Sequence, residues 1–467
     1  MNCQFKTKIG KFGYIIKKKS LSEEQKQNIR DDLTVAPIVI KGYGGKPEKF
    51  PVYKETNNHL LLPKFYGIKK FGRAKRILVD KYHQTNITFH GKLRPAQEKI
   101  VNDVITELDN NSRTLLCAAT GSGKTVISLD IIAKLKRKTM IVVHKEFLLE
   151  QWRDRINRFL PDATIGYIQG PKCEIENCDI VIGMIQSLSK KDYPKGTFDS
   201  FGFTIIDEVH HLSSRVFSQS TFKINTQVML GLSATPKRKD GLTCILNWTF
   251  GRVIVPKTKD IKHNVSIKMI DYIPDIQEKR LYRGGGINIQ NLTNQLCEDE
   301  NRTMKCIHSI KEQYILGRDI LVLSDRVAHI SGMYQHLIDT GYDAGLYIGG
   351  MKEIERNDSA TKRIILATYQ MVSEAFDVPR LNTLILCTPK KDVIQIVGRI
   401  LRKEHIDFDP LIIDYFDRVS SFEKWGFQRI KYYTKMGYKF SKKYNQTKQN
   451  EPEPRISYCF NDDSDDD

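Results

Sequence analysis

The chain has 467 residues, 40% of them hydrophobic and 28% charged, enough for two or three domains with cores of their own and too apolar for global disorder. Lysine and arginine number 74 against 55 aspartate and glutamate, a net charge of +19, which favours a polyanionic partner, nucleic acid first. No run reaches the ~20 apolar residues of a membrane span, the N-terminus lacks an apolar signal core, and no C-x-x-C pair occurs among nine cysteines. A membrane protein, a secreted protein and a zinc or disulfide scaffold are therefore excluded as expectations, and a reducing, intracellular compartment is expected.

Residues 1–90 carry 19 Lys and Arg against 7 Asp and Glu, an excess of 12. Strand-like pieces, Lys11–Ile16 and Ala36–Ile40, flank the glycine-rich Lys41–Gly45, so residues 1–88 are expected to form a small basic, β-rich domain. Its short clusters, such as Lys17-Lys-Lys19, either grip nucleic acid or solvate a surface.

From residue 89 to 255 short apolar runs alternate with amphipathic stretches. Thr114–Cys117, Thr139–Val143, Ile180–Ile182 and Phe203–Ile206 are predicted strands, and Lys124–Leu135 and Glu146–Phe159 predicted helices. Alternation of this kind specifies an α/β domain whose parallel sheet is flanked by helices. Residues 256–304, with Gly284–Gly286 and an Asn/Gln-rich stretch, are expected to be linker and the start of a second lobe. The α/β rhythm resumes over 305–418, with predicted strands Asp319–Leu323, Arg363–Ala367 and Thr383–Cys387. Residues 419–467 form a basic, aromatic extension with an acidic tail expected to be disordered.

Two motifs carry chemistry. Ala118-Ala-Thr-Gly-Ser-Gly-Lys-Thr125 follows a predicted strand and opens a predicted helix, the context of a phosphate-binding loop. Thr120, Gly121, Ser122 and Gly123 supply backbone N–H groups, Lys124 reaches the β- and γ-phosphates, and the Thr125 hydroxyl ligates Mg²⁺. The first position of the common pattern is Ala118 in place of glycine. The second motif, Phe203–His210, is an apolar strand ending in two carboxylates. Asp207 suits a Mg²⁺ ligand and Glu208 the polarisation of an attacking water.

With these in place the sequence resembles the superfamily 2 helicases. Asp207-Glu-Val-His210 is similar to their D-E-x-H box. Leu93–Gln97 resembles the adenine-reading segment, which implies nucleotide contacts for Arg94 and Gln97. Val143–Trp152 and Gly183–Leu188 resemble strand-contacting motifs, and Gly231–Pro236 the S-A-T motif. Thr368–Asp377 and Gln395–Arg402 resemble motifs V and VI. The resemblance covers roughly residues 90–415 and implies two tandem RecA-like domains. His210, Ser233, Thr235, Asp377 and Gln395 would couple hydrolysis to strand movement, and Arg399 and Arg402 would neutralise the γ-phosphate across the cleft. Ile396 stands where the family commonly has arginine.

Ser233–Gly241 is similar to the branch containing the xeroderma-pigmentosum B helicase and a phage recombination helicase. Thr368–Glu374 and Cys387–Lys391 resemble the transcript-release helicases of poxviruses and related large DNA viruses. That likeness implies ATP and Mg²⁺ as cofactors and DNA, single-stranded or duplex and largely sequence-independent, as partner. It also implies transcription-machinery proteins as partners, no membrane, and a location in the host cytoplasm (viral factory) and virion. RNA unwinding, translocation or annealing without strand separation, and a non-catalytic nucleic-acid scaffold are the alternatives; intact Lys124, Glu208 and Arg399 argue against the last. Trp152 and Phe159 are expected to face the core, and the adjacent His210 and His211 not to share a metal.

Overall fold

Strands Arg113–Cys117, Thr139–Val143, Phe203–Ile206 and Val228–Ser233 are buried at every position. Such strands belong in the middle of a sheet covered on both faces, which is how their unbroken apolar runs read. The computed structural model describes residues 6–38, 48–78, 81–118, 122–211, 214–224, 226–234, 241–256, 264–276, 282–283, 286–376, 378–401 and 407–441. The chain divides into two compact units, Met1–Ile261 with Ser373–Asp377, and Lys262–Val372 with Val378–Asp467.

The first unit contains an eight-stranded sheet in the order Lys172–Cys173, Ile165–Gln169, Ile180–Met184, Thr139–Val143, Phe203–Ile206, Val228–Ser233, Arg113–Cys117 and Val253–Ile254. Every pairing is parallel except the edge hairpin of Ile165–Gln169 with Lys172–Cys173. The order reverses on either side of the Arg113–Cys117 and Thr139–Val143 strands, and ligands of open α/β sheets bind at such carboxyl ends.

The basic N-terminal residues form a separate five-stranded sheet, Lys54–Glu55, His59–Leu62, Gly13–Lys17, Thr7–Gly10 and Arg76–Ile77. Helix Glu23–Asp32 begins at a capping box in which Ser22 and Gln25 satisfy each other's backbone N–H. This sheet shares one apolar core with the α/β layer: Tyr14, Leu60 and Tyr66 belong to the same buried cluster as Leu115, Met140 and Phe250. Tyr66 meets Trp248 edge-on, ring centroids 5.7 Å apart.

The second unit holds a seven-stranded, all-parallel sheet ordered Ala344–Tyr347, Ile364–Thr368, Ile320–Ser324, Thr383–Leu386, Leu411–Asp417, Ser266–Tyr272 and Lys439–Phe440. Both units therefore have the mixed α/β architecture expected, parallel sheets flanked by helices.

Three expectations need correction. Lys11 and Phe12 form the turn between two strands, and the second strand starts at Gly13. Ala36–Ile38 are not strand; the paired residues are Thr34–Val35, since Pro37 has no N–H to give a ladder, while Val39 and Ile40 lie outside the described residues. Residues 256–304, expected to be linker and the start of a second lobe, belong mostly to the second unit: they contain the sheet strand Ser266–Tyr272, helix Ile289–Glu298 and the beginning of helix Glu300–Ile315. Their alternation of apolar with polar residues, Ile267, Met269 and Leu292 being buried, was the signal for structure. Likewise helix Ser420–Lys435 of the expected extension packs on the second sheet, while the acidic tail lies outside the described residues.

Candidate active site

Strand Arg113–Cys117 delivers the chain into the phosphate loop, and helix Lys124–Leu135 leaves it. Thr120 and Gly121 lie outside the described residues. Gly123 has φ +86°, a backbone conformation that favours glycine, and a Cβ there would also sit 2.3 Å from Gln97 Nε2 and displace that amide. Lys124 Nζ donates to Ala118 O at 2.8 Å, which brings the ammonium back over the loop. Thr125 sits half-buried in the first turn of the helix.

The Leu93–Gln97 segment is joined to this loop. Arg94 Nη2 and Gln97 Nε2 both donate to Ser122 O at 3.2 Å, and Arg94 N donates to Gln97 Oε1 at 2.9 Å. Ser122 Oγ is buried without a hydrogen-bond partner among the described residues, a polar atom that phosphate oxygens would satisfy.

The D-E-V-H segment continues strand Phe203–Ile206, and Asp207 N donates to Val142 O at 2.9 Å. Both carboxylate oxygens of Asp207 are engaged: Trp152 Nε1 donates to Oδ2 and Glu208 N to Oδ1, each at 2.9 Å. Burial raises the Asp207 pKa, while the Trp152 hydrogen bond, the Lys124 charge and the Glu208 N–H oppose the rise. Glu208 has φ +48°, a left-handed conformation that costs a non-glycine residue about 1–3 kcal/mol and aims the side chain away from the strand direction. His210 Nδ1 lies 2.9 Å from Ser233 Oγ and 3.3 Å from Glu208 Oε2. Ser233 Oγ can donate to or accept from Nδ1, according to the tautomer of His210. The structure thus brings Glu208, His210 and the S-A-T serine together. Thr235 lies outside the described residues.

Thr125 and Asp207 offer the hard oxygen donors that Mg²⁺ takes, and each Asp207 oxygen, accepting one hydrogen bond, has a further lone pair. Among the described residues no group of three or more His, Cys, Asp or Glu gathers to hold a metal, so any ion here would depend on water and phosphate for most of its ligands.

In the second unit Gln395 is half-buried on the short helix Ile394–Val397, and Arg399 is buried just beyond it. Asp377 and Arg402 lie outside the described residues. Ile396 is 2% exposed, so the position where the family commonly has arginine is a core position here.

Sequence reasoning missed two supports. Trp152 is a core residue, as its spacing predicts, but its N–H also fixes Asp207; an indole at the end of the Val143–Trp152 motif is the available signal. In the second unit two fully buried arginines fasten the segment leading to Gln395. Arg302 Nε and Nη2 contact Asp417 at 2.7 and 2.8 Å and Nη1 donates to Cys387 O, while Arg429 grips Asp414 at 2.7 and 2.8 Å and donates to Lys390 O at 2.9 Å. Tyr369 Oη donates to Thr388 O at 2.6 Å between them.

A family model described as "Type III restriction enzyme, res subunit" matches residues 90–238. "Putative ATP-dependent RNA helicase L396" of Acanthamoeba polyphaga mimivirus is 37% identical over 453 residues, 94% of this chain and 87% of that protein. "Putative helicase 161L" of Invertebrate iridescent virus 6 is 26% identical over 84% of this chain and 92% of its own. "Putative ATP-dependent RNA helicase QP509L" of African swine fever virus (isolate Pig/Kenya/KEN-50/1950) is 26% identical over 73% and 72%. The solved structure of T4 UvsW aligns over 94% of this chain and 98% of that one, with 19% identity and a TM-score of 0.41. The chain belongs to the superfamily 2 helicases, with relatives among large DNA viruses. It is a helicase-like enzyme that uses ATP and acts on nucleic acid.

Proposed function

We propose that the chain is an ATP-driven DNA helicase of viral transcription, acting at transcript release, with recombination and repair within reach of the same motor. The observation that carries hydrolysis is the set Asp207, Glu208, His210 and Ser233 joined by contacts of 2.9–3.3 Å. Lys124 and the phosphate loop hold the nucleotide, and Glu208 orients and deprotonates the attacking water. Mg²⁺, held by Thr125 and Asp207, would supply charge neutralisation at the phosphates. Arg399 and Arg402 of the second lobe act as arginine fingers, a device that contributes roughly 10³–10⁵ in rate in comparable sites. His210 and Ser233 pass the state of the γ-phosphate to Thr235, Asp377 and Gln395, and alternating closure moves one strand by backbone contacts that tolerate any sequence.

The choice of DNA is supported by the Ser233–Gly241 and Cys387–Lys391 runs, whose likeness is to DNA helicases. The printed names of the mimivirus and African swine fever virus relatives favour a second reading, an RNA substrate. Transcription-machinery proteins as partners and a site of action in the host cytoplasm and virion belong to the same proposal. ATPase rates with single-stranded DNA, duplex DNA and RNA, measured side by side with strand displacement, test it. Stimulation by DNA with displacement is expected. Stimulation by RNA alone selects the second reading, and stimulation by none contradicts both.

A further inference from the structure

A cavity of about 190 Å³ lies in the first unit at the end of the sheet opposite the phosphate loop. Its lining gathers the starts of parallel strands: Arg137 precedes Thr139–Val143, Gly202 precedes Phe203–Ile206, and Gln227 precedes Val228–Ser233. Lys11 comes from the N-terminal hairpin turn and Lys81 from the chain entering the α/β layer. The same strands run from here to Ser233 and Asp207, so this cavity is separated from the ATP site by their full length.

The lining carries three cations, Lys11, Lys81 and Arg137, against one carboxylate, Asp199, which Lys11 Nζ contacts at 2.5 Å. Arg137 lies over the Tyr82 ring, 4.5 Å from its centroid, and neither Arg137 nor Lys81 has a carboxylate partner among the described residues. Gly202 packs so tightly on Tyr82 that a Cβ would come within 2.6 Å of the ring, so Tyr82 is a fixed wall carrying the guanidinium. Phe198 and Phe201 also line the cavity but are only 7% and 4% exposed, and Lys138 Nζ stands 5.2 Å from the Phe201 ring centroid. Behind the cavity, buried Arg113 donates to Lys11 O at 2.9 Å, Thr226 O at 3.2 Å and Gln227 O at 3.4 Å. That arginine ties two lining segments together and adds a cation answered only by carbonyls; burial lowers its pKa to about 10. Two cations without a carboxylate partner among the described residues, one of them held on the Tyr82 ring, suit the charge of a phosphate group.

We propose that this cavity is a second phosphate site, which seats a backbone phosphate of the nucleic-acid substrate at the junction of the N-terminal sheet and the first α/β layer. The assignment rests on nucleic acid being the substrate. A phosphate diester fits the volume and the charge, and each contact of this kind releases counterions and so steepens the salt dependence of binding.

The test uses the full chain and the double variant Lys81→Gln/Arg137→Gln. Neither residue belongs to the ATP site, so ATP hydrolysis without nucleic acid stays at the wild-type rate and reports an intact fold. Affinity for a fluorescent single-stranded oligonucleotide and for a duplex is measured across a salt series. The variant should bind more weakly, with its log–log salt slope reduced by about 0.7 for the single strand or about 0.9 for the duplex per lost contact. Unchanged affinity and slope overturn the proposal. If the variant loses only the binding of inorganic phosphate, followed by ³¹P line width, or of polyglutamate, the cavity serves a free anion or an acidic protein and the proposal fails. A wild-type chain that binds no oligonucleotide overturns the functional reading as well, whereas a wild type and a variant that bind equally well overturn this site alone.

Discussion

The indole N–H of Trp152 donates to Oδ2 of Asp207 at 2.9 Å, and both side chains are buried. A buried carboxylate is costly unless its oxygens are satisfied, and this bond also fixes the direction in which Asp207 presents its remaining lone pairs. Trp152→Phe keeps most of the apolar volume and removes the donor. The variant should lose about 1–3 kcal/mol of stability, the penalty of an unsatisfied buried acceptor. It should also need roughly 10–100-fold more Mg²⁺ for half-maximal ATPase or lose turnover by that factor. Urea unfolding and a Mg²⁺ titration check the two parts separately.

Arg429 and Asp414 form a bidentate pair at 0–1% side-chain exposure, and Tyr433 Oη adds a third bond to Asp414 at 2.9 Å. Arg429→Met would strand the Asp414 charge and should cost about 3–5 kcal/mol. Replacing both, Arg429→Met with Asp414→Asn, removes the stranded charge and should recover part of that loss. Denaturant midpoints of the two variants decide: a double variant no better than the single one contradicts the ion-pair account.

His329 is buried between Ser324 Oγ at 3.0 Å and Thr303 Oγ1 at 3.1 Å. Burial, helped by the nearby Arg302 charge, lowers its pKa from 6.5 to about 4. Between those values the unfolded chain binds a proton that the folded chain refuses, so stability falls as pH drops from 6.5 towards 4. Full passage through the window should cost on the order of 3 kcal/mol at about 1.36 kcal/mol per pH unit. His329→Gln can keep both hydrogen bonds and cannot titrate, so the wild-type loss relative to this variant isolates the effect. An equal acid response in both contradicts it.

The central strands were legible because they are buried on both faces: Thr139–Val143 and Phe203–Ile206 are apolar without interruption and were placed to the residue. Ser266–Tyr272 was not, because at the side of its sheet only Ile267 and Met269 are buried, and so short an alternation is a weaker signal than an unbroken apolar run. Local motifs singled out Lys124, and the strand-end pair Asp207 and Glu208 drew its meaning from that upstream loop. Trp152 and Arg429 act on residues 55 and 15 positions away, and no local pattern encodes such a contact. The N-terminal residues taught the same lesson about domains. Charge set them apart, but the core they share with the α/β layer means that deleting them would expose buried apolar surface, so substitution is the sounder probe.

The measurement closest to the central claim compares ATP affinity with turnover in Glu208→Gln and Lys124→Ala. Glu208→Gln keeps the side-chain volume beside His210 and loses the base, so ATP should bind with near wild-type affinity while turnover falls by at least about 10²-fold, the lower range of general-base effects. Lys124→Ala removes the charge assigned to the phosphates in the proposed function, so binding and turnover should fall together. Wild-type turnover in Glu208→Gln, or equal loss of ATP affinity in the two variants, would contradict the assignment of this site.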